Sequence, residues 1–319
     1  MHRIFREMLK DARGVSEFII AVNIDIRGFS SFSKKVESPE TAMFIKRVYI
    51  KLIDDYFSDA SFFKSTGDGL IITIPYTEEN LQIVTRRTVG FCLKVLRKFC
   101  IICENDPMIN FEVPRKVGIG ISRGTACSLV SKDTVLDYSG RVLNLASRLM
   151  DLARPSGIVF DADFGIELLL DEQIELFAED KIYIKGIAER EPIGIFYTKK
   201  LTSISALNKQ PIDKIKWSTI KDTKTLKQIK DLGPTYIYDI KTLPIDSSEI
   251  RVKISIPGVL KGRRRQEFTT TFNFLNFEYY LEAGEPRLDI EFDTLVEKLE
   301  EKGIKDSWKV DIEIAYPEK

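Results

Sequence analysis

Histidine is almost missing from this 319-residue chain, and the one example, His2, stands at the second position. That argues against an imidazole triad, a His-ligated metal or an imidazole acid–base pair. Any chemistry falls to carboxylates, Lys, Arg or bound metal. An excess of one charge is lacking too: 48 basic residues face 48 acidic ones. The whole chain therefore gives no electrostatic case for nucleic acid or anionic membrane as partner. No apolar run reaches the roughly 18 residues needed to cross a bilayer. The opening "MHRIFREMLKDAR" is charged, with no apolar stretch behind it to make a secretory leader. Cysteine is sparse and lacks metal-ligand spacing. Cys92, Cys100 and Cys103 fall in "VGFCLKVLRKFCIIC" and read, like Cys127, as reduced thiols, the three in that stretch buried. Internal repeats and low-complexity segments are absent. What remains is a soluble, cytoplasmic protein of roughly two domains, with 44% hydrophobic residues to fill their cores.

Periodicity sets the organisation. A short amphipathic helix with Ile4, Phe5, Met8 and Leu9 precedes a buried strand, "EFIIAVNID". A helix over 39–58 follows, with Pro39 in its first turn and Tyr49 and Tyr56 on its apolar face. "FFKSTGDGLIITIP" reads as two strands joined at Gly67-Asp68-Gly69, a hairpin of the Asp-Gly kind. Next come a long helix over 79–104, strands "RKVGIGISRG" and "TACSLV", and a helix in "GRVLNLASRLMDLA". Strand "GIVFD", helix "DFGIELLL" and strands in "KIYIKGIAEREPIGIFYTK" close the first domain. The order β-α-β-β-α-β predicts a ferredoxin-like α+β domain over residues 1–200. A Lys-rich stretch opens a second, smaller α+β domain over 206–319, with strands in "EIRVKISIPG", "EFTTTFNFLNF" and "WKVDIEIAYP". A helix, "FDTLVEKLEEKG", sits before the last strand and is closed by Gly303.

Two carboxylates fall at adjacent strand ends, Asp25 closing the first strand and Asp68 in the hairpin. Such a pair can hold two divalent ions for displacement at phosphorus. The segments around them carry more. "NIDIRGFSSF", "FKSTGDGLI" and "DYSGRVLNLASRL", in that order and at those intervals, resemble the signature segments of class III nucleotide cyclases. The resemblance spans about residues 15–199. It implies that Asp25 and Asp68, with the Ile26 carbonyl, hold two Mn²⁺ or Mg²⁺ ions. It implies that Lys64 and Asp137 read the base, with Phe29 also at the substrate, while Asn144 orients the ribose and Arg148 stabilises the phosphoryl charge. It further implies a homodimer whose sites take metals from one protomer and the remaining groups from its partner. A diguanylate cyclase would show a GGDEF-like turn, and this turn is Ser65-Thr66-Gly67-Asp68-Gly69.

A Lys and Asp pair marks the adenylate-forming members of that family. Donor and acceptor counting, however, admits adenine, cytosine and uracil alike, so pocket size must choose. Tyr49 or Tyr56 could fill space that a purine needs. The tail segments "RVKISIPG", "KGRRRQ" and "EPRLDIEFDTLVEKLEEKGIKDSWKVDIEI" look like the AGS-C sensor domain, and the combination resembles the bacterial pyrimidine cyclases of the Pycsar antiphage defence system. That resemblance implies conversion of UTP to cyclic UMP, a messenger acting on a separate effector. Cytidylate or adenylate cyclase activity is the alternative within the enzyme class, and a silent nucleotide-sensing module the alternative outside it. The basic run Lys261-Gly262-Arg263-Arg264-Arg265 reads as a solvated loop, with contact to a phosphate-bearing ligand as the sharper reading.

Overall fold

The computed structural model describes residues 2–104, 106–132, 134–204, 206–233, 250–255, 267–272 and 287–317. The chain separates into two compact units, Met1–Ile204 and Ser205–Lys319.

The first unit is built on an eight-stranded sheet. Helix α1 (His2–Lys10) leads into β1 (Arg13–Arg27), followed by α2 (Phe29–Lys35), α3 (Ser38–Asp55), β2 (Phe62–Ser65), β3 (Gly69–Pro75) and α4 (Leu81–Lys98). Then come β4 (Lys116–Ser131), β5 (Thr134–Ser139), α5 (Arg141–Leu152), β6 (Gly157–Asp161), α6 (Asp171–Ile174), β7 (Phe177–Ile184) and β8 (Ala188–Thr198). The strand order is β2-β3-β1-β4-β6-β8-β7, with β5 paired to the far end of β4. Only β4 and β6 run parallel.

β1 lies at the centre because both its faces are apolar. Ile20, Val22, Ile24 and Ile26 face a core shared with Phe44, Val48 and Leu52 of α3 and Val89 and Cys92 of α4. Ile19 and Ala21 face the other way, against Val142 and Ala146 of α5. Alternation along a strand therefore puts Asp25 and Arg27, both odd-numbered, on the α5 side. Two glycines of β4 let that side close up. A Cβ on Gly120 would stand 2.0 Å from the Ala146 carbonyl oxygen, and one on Gly118 would stand 1.8 Å from the Arg27 guanidinium.

Several expected elements differ. "RKVGIGISRG" and "TACSLV" form the single strand β4, because Gly124 stays extended within the β1 pairing. The helix expected in "DFGIELLL" is replaced by two 3₁₀ turns, and the four-residue α6 follows just after that segment. Gly165 at φ 88° ends one turn before the other begins, a conformation that no helix interior holds. The helix expected over 79–104 stops at Lys98 and gives way to a 3₁₀ turn at Phe99–Ile101. Cys92 and Cys103 are buried, and burial pushes both thiols up, but Cys100 is exposed, against expectation.

The second unit has a four-stranded sheet, in the order β11-β10-β12-β9. Its elements are β9 (Trp217–Thr225), α7 (Leu226–Leu232), β10 (Ile250–Ser255), β11 (Glu267–Phe272), α8 (Arg287–Glu301) and β12 (Lys309–Pro317). Leu226 and Ile229 of α7, Leu295 and Leu299 of α8, and Val252, Ile254, Val310, Ile312 and Ile314 of the sheet form its core. Gly303, at φ 75°, follows α8 as expected. The Lys-rich opening of this unit holds β9 and α7, elements the sequence reading did not assign. The basic run at 261–265 lies outside the described residues. No helix among the described residues is long and apolar enough to cross a membrane.

Candidate active site

Asp25, two residues before the end of β1, lies directly opposite Gly69 in the β1–β3 ladder. The Ile26 N–H donates to the Asp68 carbonyl at 3.0 Å, so the backbone itself fixes the two aspartates side by side. In an antiparallel strand a residue's N–H and C=O point to the same neighbour, which turns the Ile26 carbonyl toward the hairpin as well. The turn is tight. Thr66 N–H donates to the Gly69 carbonyl at 2.9 Å, and Gly67 adopts φ 97°, a left-handed conformation suited to glycine.

Tyr49, midway along α3, reaches this turn. Its hydroxyl is placed to donate to the Gly69 carbonyl at 2.6 Å and lies 3.1 Å from that of Gly67, so it bonds on both sides of Asp68. Burial and the nearby Asp68 charge push the phenol up to about 12, which keeps it a donor. The structure thus places Tyr49 against the backbone of the Gly67-Asp68-Gly69 turn. Tyr56 caps the end of the same helix and packs against the core.

Arg27 is the residue that sequence reasoning missed. It is buried, yet its Nη1 donates to Asp25 Oδ2 at 2.5 Å. Its Nη2 donates to the carbonyls of Met150 at 2.5 Å and Ala153 at 3.1 Å, at the C-terminal end of α5. A cation belongs there, since the last carbonyls of a helix are unpaired and carry partial negative charge. Arg27 therefore joins Asp25 to the helix that carries Asn144 and Arg148. The signal was available: a charged residue two positions beyond Asp25 in a strand buried on both faces must have a partner.

Lys64 lies on the edge strand β2, and Asp137 on β5. The structure brings them together, Lys64 Nζ lying 2.8 and 3.0 Å from the two Asp137 oxygens, with both side chains about half exposed. Asn144 and Arg148 lie one turn apart on the exposed face of α5 while Leu145 and Leu149 are buried beneath them. Arg148 approaches Asp151 only at 3.9 Å and is more than half exposed. Phe29 starts α2 and packs with its ring tilted against Phe32, partly in the core.

Asp25, Asp68 and the Ile26 carbonyl are hard oxygen donors, the set that Mg²⁺ and Mn²⁺ prefer. Among the described residues no cluster of three or more His, Cys, Asp or Glu could hold a metal. Two carboxylates and a carbonyl nonetheless fit an ion that completes its shell with substrate phosphates and water. Arg27 engages one Asp25 oxygen and leaves the other for such an ion.

The model of the adenylate and guanylate cyclase catalytic domain matches residues 16–200, more than half of the chain. The chain belongs to that family and carries a class III nucleotide cyclase domain. The chain is similar to solved structures at low identity. The adenylyl cyclase CyaB from P. aeruginosa is 18% identical over 58% of this chain and 95% of that one, with a TM-score of 0.45. The guanylyl cyclase Cya2 is 18% identical over 59% and 98%, also at 0.45. The guanylate cyclase domain of RhGC from Catenaria anguillulae, in complex with GTP, is 12% identical over 60% and 100%, at 0.42. No curated protein matches the chain.

Proposed function

We propose that this cyclase converts UTP to 3′,5′-cyclic UMP and pyrophosphate, and that the product serves as a second messenger in antiphage defence. The observation that carries the catalytic part is the backbone-locked pair Asp25 and Asp68, held by the Ile26-to-Asp68 bond and braced by Arg27. Two divalent ions bound there would lower the pKa of the ribose 3′-hydroxyl and neutralise the triphosphate. Lys64 and Asp137 supply a donor beside an acceptor, matched to O4 and N3–H of uracil. Asn144 holds the ribose so that its 3′-oxygen faces the α-phosphorus. Arg148, whose ion pair with Asp151 spans a loose 3.9 Å, donates to the oxygens on which charge grows and so binds the transition state more tightly than the substrate. The exposed positions of Asn144 and Arg148 on α5 suit a site completed across a homodimer, with metals from one protomer and Lys64, Asp137, Asn144 and Arg148 from its partner.

The pyrimidine product rests on the likeness of the tail to an AGS-C sensor domain, read as the 206–319 domain that detects infection, with a separate effector taking the cyclic nucleotide. The Lys64–Asp137 pair favours a second reading, adenylate cyclase, because adenine satisfies the same donor and acceptor. The test is product identification by mass after incubating the purified protein with equimolar NTPs and Mn²⁺. An excess of cyclic UMP over cyclic AMP is expected. A ratio below one returns the chain to the adenylate cyclases, and no cyclic product from any NTP leaves a silent nucleotide-binding module.

A further inference from the structure

A cavity of about 420 Å³ opens in the first unit between the start of α5, the middle of β4, the end of β6 and the middle of β8. None of the candidate site residues lines it. Its walls combine two opposed polarities. Arg123 and Arg141 bring positive charge, and Arg141, exposed on the first turn of α5, has no hydrogen bond or ion pair among the described residues. Arg123 uses one nitrogen on the Asp163 carbonyl at 2.7 Å. The 12-residue helix α5 starts at this cavity behind Gly140, which has no side chain to cap its first N–H groups. The same cavity is lined by Asp161, only 4% exposed, whose Oδ1 has no hydrogen-bond partner among the described residues.

A buried carboxylate oxygen without a donor is costly, and folded proteins rarely leave one so. Burial is the main reason that the Asp161 carboxyl is pushed up to about 6, with Ser122 and Arg123 opposing the rise and Asp163 adding to it. An inorganic anion would meet the arginines but leave Asp161 unsatisfied. An apolar ligand would satisfy neither. A ligand with an anionic end and a donor-rich end meets both, and the volume suits a molecule of sugar-phosphate to mononucleotide size.

We infer that this cavity is a binding site for a small phosphorylated polyhydroxy compound, its phosphate on Arg123, Arg141 and the α5 N-terminus and a hydroxyl donating to Asp161. The site is separate from the nucleotide-cyclising one and stands whether or not cyclisation is observed.

Isothermal titration of the full chain with ribose 5-phosphate tests it, with ribose and inorganic phosphate as comparison probes. Ribose 5-phosphate should bind more tightly than either probe. Arg141→Gln, on an exposed helix position, should weaken it about tenfold or more, as expected for loss of a charge-assisted contact. Asp161→Asn should weaken it several-fold, and Asp68→Ala should leave it unchanged. No binding at millimolar concentration, binding equal to that of phosphate alone, or loss in Asp68→Ala with retention in Arg141→Gln would each overturn the proposal.

Discussion

Arg27 holds Asp25 at 2.5 Å from inside the protein while its second nitrogen caps the end of α5. One guanidinium therefore sets both the carboxylate at the end of β1 and the seat of the helix bearing Asn144 and Arg148. Lysine can replace the charge but not the fork, because a point ammonium cannot span a carboxylate and two carbonyls in this geometry. Arg27→Lys should fold with modest loss of stability yet lose Mn²⁺ affinity, read by calorimetry without substrate. Arg27→Ala should cost about 3 kcal/mol in urea unfolding, the range for breaking a buried pair. Unchanged Mn²⁺ affinity in both variants would separate Arg27 from the metal binding proposed for Asp25 and Asp68.

The same pair distinguishes the two aspartates. Removing the Asp25 carboxylate leaves Arg27 charged and buried without it, so Asp25→Ala should lose stability as well as turnover. Asp68→Ala, in the half-buried hairpin turn, should lose turnover with a smaller change in Tm than Asp25→Ala. Mixing Asp68→Ala with Arg148→Ala should restore activity through one intact site per heterodimer. A mixture as inactive as its parts, with subunit exchange demonstrated, would place the whole site in one chain.

Tyr49 offers a separate test. Its hydroxyl bonds the Gly67 and Gly69 carbonyls, so Tyr49→Phe should loosen the Asp68 turn at a cost of about 1 kcal/mol, or roughly 5-fold, for every nucleotide alike. A shift of the cyclic UMP to cyclic AMP ratio in Tyr49→Phe would instead put the hydroxyl in base selection.

Asp161 gives a pH dependence. Its carboxyl is raised from 3.8 to about 6 in the folded chain, so the native state holds the proton that the unfolded state has released. Its contribution is full below about pH 4 and is lost as pH rises through 6. Asp161→Asn, which cannot ionise, should therefore gain stability over the parent between pH 4 and 7, by up to about 3 kcal/mol. A constant difference in unfolding free energy across that range would show that Asp161 does not titrate this way.

Much of this arrangement can be read before any coordinates. The double-faced apolar run Ile19–Ile24 demands a central strand, Gly67-Asp68-Gly69 demands a turn, and the spacing of Val142, Leu145, Ala146 and Leu149 demands a helix with Asn144 and Arg148 outward. What escaped is long-range. Nothing local to Arg27 names Met150 and Ala153 as its acceptors. The partnership of Tyr49 with the hairpin depends on how α3 crosses the sheet, and the Lys64–Asp137 contact joins strands 73 residues apart. Strand β9 escaped for another reason. Trp217–Thr225 is mostly Lys, Asp, Thr and Ser, a polar strand whose pairing with β12 is set by the backbone.

The brace on Asp25 reaches acceptors 123 and 126 residues further along the chain. During synthesis β1 and the β2–β3 hairpin emerge early and can pair, so both aspartates can meet while Arg27 still has no carbonyls to cap. The full set of Arg27 contacts, to Asp25 and to the end of α5, is then completed only once Ala153 has left the ribosome and α5 has docked over Gly118 and Gly120. The order of translation thus leaves the setting of Asp25 unfinished until the two halves of the first unit have come together.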